Sequence, residues 1–139
     1  MADLLTVFVA LDGADSVAAP GCRASMVRFH GSAEGSGFHG EILPGGVDTQ
    51  TFRAGEPGRL SARYMLEGTD SDGQPCRVFI ENNGEAPEGA PWTTRPMIVT
   101  DSPSLRKTLD VPLRGSIEDA GEGRVTIHIF EDVGGSKEA

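Results

Sequence analysis

Leu60-Ser61-Ala62-Arg63-Tyr64-Met65-Leu66-Glu67 decides how this chain is read. Leu60, Ala62, Tyr64 and Leu66 fall on one side of an extended strand, and Ser61, Arg63, Met65 and Glu67 on the other. Strict alternation of this kind marks a strand with one buried face. Asp70-Ser71-Asp72-Gly73 follows, a turn whose glycine tolerates positive φ. Arg77–Asn82 then returns as the partner strand.

Working outward, the same pattern fills the chain. Leu4–Leu11, Cys22–Glu34, Phe38–Leu43, Val47–Arg53, Thr93–Thr100, Val111–Glu118 and Arg124–Asp132 read as further strands, with Pro96 interrupting the run at 93–100. Asp12–Gly21, Pro44-Gly45-Gly46 and Glu85–Pro91 read as loops, and Asn83-Gly84 as a turn. Ser102–Leu109 is the one helical stretch, with Ser102 as cap, Pro103 at the first position and Arg106-Lys107 near the end. The expectation is an all-β chain: a single antiparallel β-barrel of about eight strands, lipocalin-like, with one short helix. Residues 1–133 form one domain on this reading, and 134–139 a flexible tail.

Composition narrows the partners. A formal charge of −9 over 139 residues repels phosphate backbones and anionic headgroups, so neither nucleic acid nor a membrane is expected. The first apolar run has no basic flank, carries Asp3 and is too short to span a bilayer, which points to a cytoplasmic protein. Cys22 and Cys76 lie far apart with no C-x-x-C, which argues against a structural zinc site and makes a disulfide depend on the fold. His30, His39 and His128 have no paired spacing, so no metal and no cofactor are called for. Gly35-Ser36-Gly37-Phe38-His39-Gly40 matches a dinucleotide fingerprint in letters only, because a strand follows it where a helix is required.

A barrel has an inside, and several strands carry polar groups toward it. Tyr64 shares the apolar face of its strand, and a buried phenol needs a partner. Asp48, Gln50 and Phe52 share one face, and an Asp beside an aromatic in a barrel mouth would have a raised pKa and could act as a base. One of Glu81 and Asn82 must face inward. Trp92 and Arg95, at a loop-to-strand boundary, could form a lid or an interface anchor.

Within Gly37–Gln50, the run from Gly40 resembles a G-x-x-L-P-G-G-x-D-x-Q element; Leu60–Glu67 resembles an L-x-A-R-Y-x-L-E strand, and Val78–Gly84 a return strand ending N-x-G. Together they resemble the domain-of-unknown-function family 3237, uncharacterised small barrels. The resemblance implies an antiparallel barrel and no settled activity. It places Asp48, Gln50, Tyr64 and Asn82 on the family's polar positions. Thr49 stands where an aromatic is frequent and Glu81 where a basic residue is common.

The resulting expectation is a cofactor-independent enzyme of isomerase or cyclase type, acting by proton transfer on a small, largely apolar molecule such as a secondary metabolite. Asp48 would be the base, and Tyr64 and Asn82 would donate to a developing oxyanion. Gln50, Glu81, Trp92 and Arg95 would contact the ligand. The alternatives are a barrel that binds such a ligand without transforming it, and a structural or homodimeric barrel with a filled lumen.

Overall fold

The computed structural model describes residues 2–87 and 91–134. The tail expected at 134–139 lies, from residue 135 on, outside the described residues. The strands are β1 (Leu5–Ala19), β2 (Cys22–Gly35), β3 (Phe38–Ile42), β4 (Val47–Arg53), β5 (Gly58–Thr69), β6 (Pro75–Ala86), β7 (Thr93–Thr100), β8 (Leu113–Asp119) and β9 (Arg124–Glu131), with α1 (Pro103–Thr108) between β7 and β8.

All pairings are antiparallel, and β1 closes the sheet by pairing with both β2 and β9. The nine strands make eight staves. β3 and β4 lie end to end between β2 and β5, each pairing with both neighbours. The break between them at residues 43–46 is bridged by backbone bonds from Leu43 N to Met65 O (2.8 Å) and from Phe29 N to Gly46 O (3.2 Å). Close approach at this stave demands small residues. Gly40 pairs with Gly68, and a Cβ on Gly68 would lie 1.8 Å from the His39 carbonyl oxygen.

Inward-facing side chains come from the alternation read in the sequence. Leu5, Val7 and Val9 on β1, Leu60, Ala62, Tyr64 and Leu66 on β5, and Val78 and Ile80 on β6 are buried. One end of the barrel is packed solid. There Leu105 of α1 and Leu109 at its C-cap are buried in the same core cluster as Phe38, Leu66, Val78 and Ile129. The helix is held by its cap: Ser102 Oγ accepts from Leu105 N (3.2 Å) and donates to Asp70 Oδ2 (2.7 Å). Asp70 also accepts from the backbone N–H groups of Asp72 and Gln74, so one buried carboxylate joins the β5–β6 turn to the helix plug. These donors hold the Asp70 pKa below its ordinary value, the Ser102 hydroxyl first among them.

Several local expectations are corrected. Asp12–Gly21 is strand as far as Ala19, because a bulge at Asp12 lets β1 kink and continue against β2 around the Pro20-Gly21 turn. Asn83-Gly84 is not a turn but part of β6, where Gly84 is pressed against Thr93 and Thr94 of β7. Of the loop expected at Glu85–Pro91, Glu85 and Ala86 extend β6, and residues 88–90 lie outside the described residues. Pro96 does not interrupt β7, because β8 pairs with β7 only at Thr93 and Thr94 and leaves the rest of that edge free. Cys22 and Cys76 sit at opposite ends of the barrel and are free thiols.

Across the closing seam, His128 on the outer face of β9 is held between two carboxylates. Its Nδ1 meets Asp3 Oδ2 at 2.6 Å and its Nε2 meets Glu118 Oε1 at 2.7 Å, and Thr6 Oγ1 donates to the same Asp3 oxygen. The Glu118 and Asp3 hydrogen bonds raise the His128 pKa. A base with a raised folded pKa contributes its full stability below the unfolded value and loses it as pH climbs through the folded value. Wild type should therefore exceed His128→Gln in urea midpoint below about pH 6.5, with the difference shrinking at higher pH. A pH-independent difference would rule out the imidazolium bridge. Leu105→Ala should cost about 2–5 kcal/mol in the same assay, since it empties the plug.

Candidate functional site

The mouth half of the barrel, opposite the plug, is not filled. A cavity of about 350 Å³ lies there, walled by Val9, Val27, Phe29, Leu60, Ile117 and Ile127. That volume equals the share of about a dozen liquid waters. Its polar lining is confined to one side: Asp48 and Gln50 on β4 and Asn82 on β6.

Register explains the grouping. Asp48 pairs with Ala62, and Ala62 pairs with Asn82. The short Ala62 side chain thus sits between a carboxyl and an amide, with neighbouring Cβ atoms about 5 Å apart. One pleat toward the plug on the same face, Tyr64 is 3 % exposed and takes the edge of Phe29, ring centroids 5.4 Å apart. One pleat toward the mouth, Gln50 pairs with Leu60, and its Nε2 donates to Asp48 Oδ2 (2.8 Å).

The polar groups of this wall are under-satisfied. Among the described residues, Asp48 Oδ1, Tyr64 Oη, Asn82 Oδ1 and Thr94 Oγ1 are buried with no hydrogen-bond partner, as is Ser61 Oγ on the outer side of β5. Asn82 and Thr94 are each 1 % exposed. Burial raises the Asp48 pKa above the ordinary carboxyl value, and the Gln50 hydrogen bond only partly offsets this. Burial also raises the Tyr64 pKa, and charge on Asp48 adds to the rise. Tyr64 therefore stays a protonated phenol, able to donate, beside a carboxyl that gains a proton more readily than an exposed Asp.

Of the residues singled out in the sequence, Asp48, Gln50, Asn82 and Trp92 line the cavity. Tyr64 faces inward from the same wall without being part of the cavity lining. Two expectations are corrected. Glu81 points out of the barrel, because Asn82 takes the inward position, and it pairs with Arg63 (3.4 Å). Arg95 is also outside, its side chain 72 % exposed and paired with Asp132 (3.3 Å). The cation that accompanies Trp92 at the mouth is instead Arg23. Its guanidinium lies 4.4 Å over the Phe52 ring, and Phe52 meets Trp92 edge-on at 6.4 Å. Arg23 and Phe52 are cross-strand partners of β2 and β4, a pairing visible only once the register is known.

The three histidines stand apart, His30 on Asp12, His128 on Asp3 and Glu118, and His39 exposed on β3. Among the described residues no helix is long and apolar enough to cross a membrane.

Residues 4–107 match the family described as "Protein of unknown function (DUF3237)". A UPF0311 protein of Clostridium acetobutylicum is 38 % identical over 64 residues, which cover 46 % of this chain and 38 % of that protein. The aligned segment thus spans well under half of the curated relative. Among solved structures, a protein of unknown function from Clostridium acetobutylicum superposes with a TM-score of 0.74 at 23 % identity, covering 91 % of this chain and 94 % of that one. A conserved protein of unknown function from Rhodopseudomonas palustris also gives 0.74 at 23 % identity, with 92 % and 93 % covered. A beta-barrel like protein from Acinetobacter baumannii gives 0.69 at 17 % identity, with 92 % of each chain covered. These likenesses establish the barrel fold in bacterial relatives.

An acid whose folded pKa is raised subtracts stability as pH rises past its unfolded value. Asp48→Asn should therefore gain stability over wild type as pH rises from well below 3.8 to about 8. Tyr64→Phe should cost little, because its hydroxyl has no partner to lose, whereas a satisfied tyrosine would lose about 1 kcal/mol. Urea unfolding at the two pH values reads both.

Proposed function

This chain belongs to the DUF3237 family of proteins of unknown function, and we propose that it is a cofactor-independent enzyme that moves a proton on a small molecule held in the barrel. The observation that carries this reading is a pair of unpartnered oxygens, Asp48 Oδ1 and Asn82 Oδ1, on the one polar side of an otherwise apolar cavity, with the unpartnered Tyr64 hydroxyl next along the same inward face. Native proteins satisfy nearly all buried polar groups, and exceptions concentrate where a ligand completes them. The cavity itself argues against a barrel with a filled lumen.

Asp48 is the proton carrier. Its free Oδ1 takes a proton from the bound molecule and returns it at a second position, while Gln50 fixes the carboxyl through Oδ2. A raised pKa brings the carboxyl closer to neutrality, where both directions of transfer are accessible. The Tyr64 hydroxyl donates to an oxygen that gains charge as the proton leaves, and Asn82 orients the same end of the molecule. The aliphatic wall holds the remainder and excludes water. Isomerisation and ring closure are the reaction types that need nothing more than this.

A binding barrel without chemistry is the second reading. The pocket would be the same, and only the use of Asp48 would differ.

Native mass spectrometry of protein purified from its own host should reveal a retained molecule small enough for the cavity. With that molecule as substrate, Asp48→Asn should lose turnover even at saturating substrate, and Tyr64→Phe should lower kcat by about 100-fold or more. Turnover unaffected by Asp48→Asn overturns Asp48 as the proton carrier, and a retained molecule that the wild type leaves unchanged overturns the catalytic reading in favour of the binding one.

A further inference from the structure

The lumen's chemistry is one-sided in charge as well as in polarity. Asp48 is the only ionisable group among the described residues that line the cavity. No Lys, Arg or His joins it there, and Arg23 at the mouth is engaged over Phe52. Two oxygens of the lining residues are buried without partners, Asp48 Oδ1 and Asn82 Oδ1, while the unpartnered Tyr64 Oη and Thr94 Oγ1 belong to residues outside the lining. With the carboxyl ionised, both lining oxygens are acceptors only. An anionic ligand would meet no counter-charge and a carboxylate of its own sign. A neutral one would leave the carboxylate unpaired.

We propose that the molecule bound in this lumen is an amine, carrying one ammonium group on a small apolar body. This rests on the reading of the lumen as a ligand site. An ammonium offers N–H donors and no acceptor, which matches Asp48 Oδ1 and Asn82 Oδ1. The pairing supplies the counter-charge that the desolvated carboxyl lacks. Phe29 and Trp92 are both part of the lining, and aromatic rings there favour a cation over an anion. The net charge of −9 raises the local concentration of cations over anions at the mouth.

Trp92 is the only tryptophan and lines the cavity, so its fluorescence reports occupancy directly. Three probes of nearly equal size separate the possibilities: phenylpropylamine, phenylpropanol and phenylpropanoate. At neutral pH the amine should bind at least about tenfold more tightly than the alcohol, a difference of about 1.4 kcal/mol. The carboxylate should bind more weakly than the alcohol. In Asp48→Asn, checked for folding by circular dichroism, the amine should fall to the level of the alcohol while the alcohol is unchanged. If the alcohol or the carboxylate binds as well as the amine, or if Asp48→Asn keeps the amine preference, the amine assignment fails and the lumen site stands. If none of the three quenches Trp92 or shifts the melting temperature, the lumen site fails and the assignment with it.

Discussion

Closure of the sheet is the constraint on which everything else depends. β1 pairs with β2 on one side and β9 on the other, and this removes every free edge around most of the barrel. Once the ring is closed, alternation leaves no freedom: each strand must send every second side chain into a shared interior. Where those side chains are large, and where α1 adds Leu105 and Leu109, the interior is solid. Where the inward residue between Asp48 and Asn82 is Ala62, the side chain is too short to fill the interior, and the polar wall has space in front of it.

The two ends of the barrel handle polarity in opposite ways. At the plugged end the buried carboxylate of Asp70 receives Ser102 Oγ and two backbone N–H groups, and so it stays ionised and fastens the helix. At the mouth end Asp48 receives only Gln50 and stays short of donors. A buried polar group without a partner costs about 1–3 kcal/mol. Keeping several of them together on one wall is a local weakness that the solid half of the barrel must offset. Such arrangements are expected where binding, not folding, supplies the missing partners.

The barrel was legible because its strands announce themselves by period and its turns by glycine and proline. Leu60–Glu67 alone fixes which face of β5 is buried, and the structure agrees residue by residue. Asp48 and Asn82 could be placed on inward faces only in part. The alternation said that Asn82 or Glu81 must turn inward, and the choice between them needed the register with Ala62. Arg95 lies outside, paired with Asp132, because nearness in sequence to Trp92 says nothing about which side of a strand a residue occupies. Arg23 went unnoticed for the converse reason: its partner Phe52 is remote in sequence and adjacent across strands. The run to Ala19 was missed because turn-forming residues there outweigh a weak strand signal, and only pairing with β2 makes it extended.

The central claim is that Asp48 faces a largely apolar hollow with no counter-charge of its own. Carbon-detected NMR titration of the Asp48 carboxyl tests it most directly. The account predicts a midpoint above the ordinary value of 3.8, with the signal assigned by its absence in Asp48→Asn. A midpoint at or below 3.8 would mean a solvated or already paired carboxylate, and would contradict it.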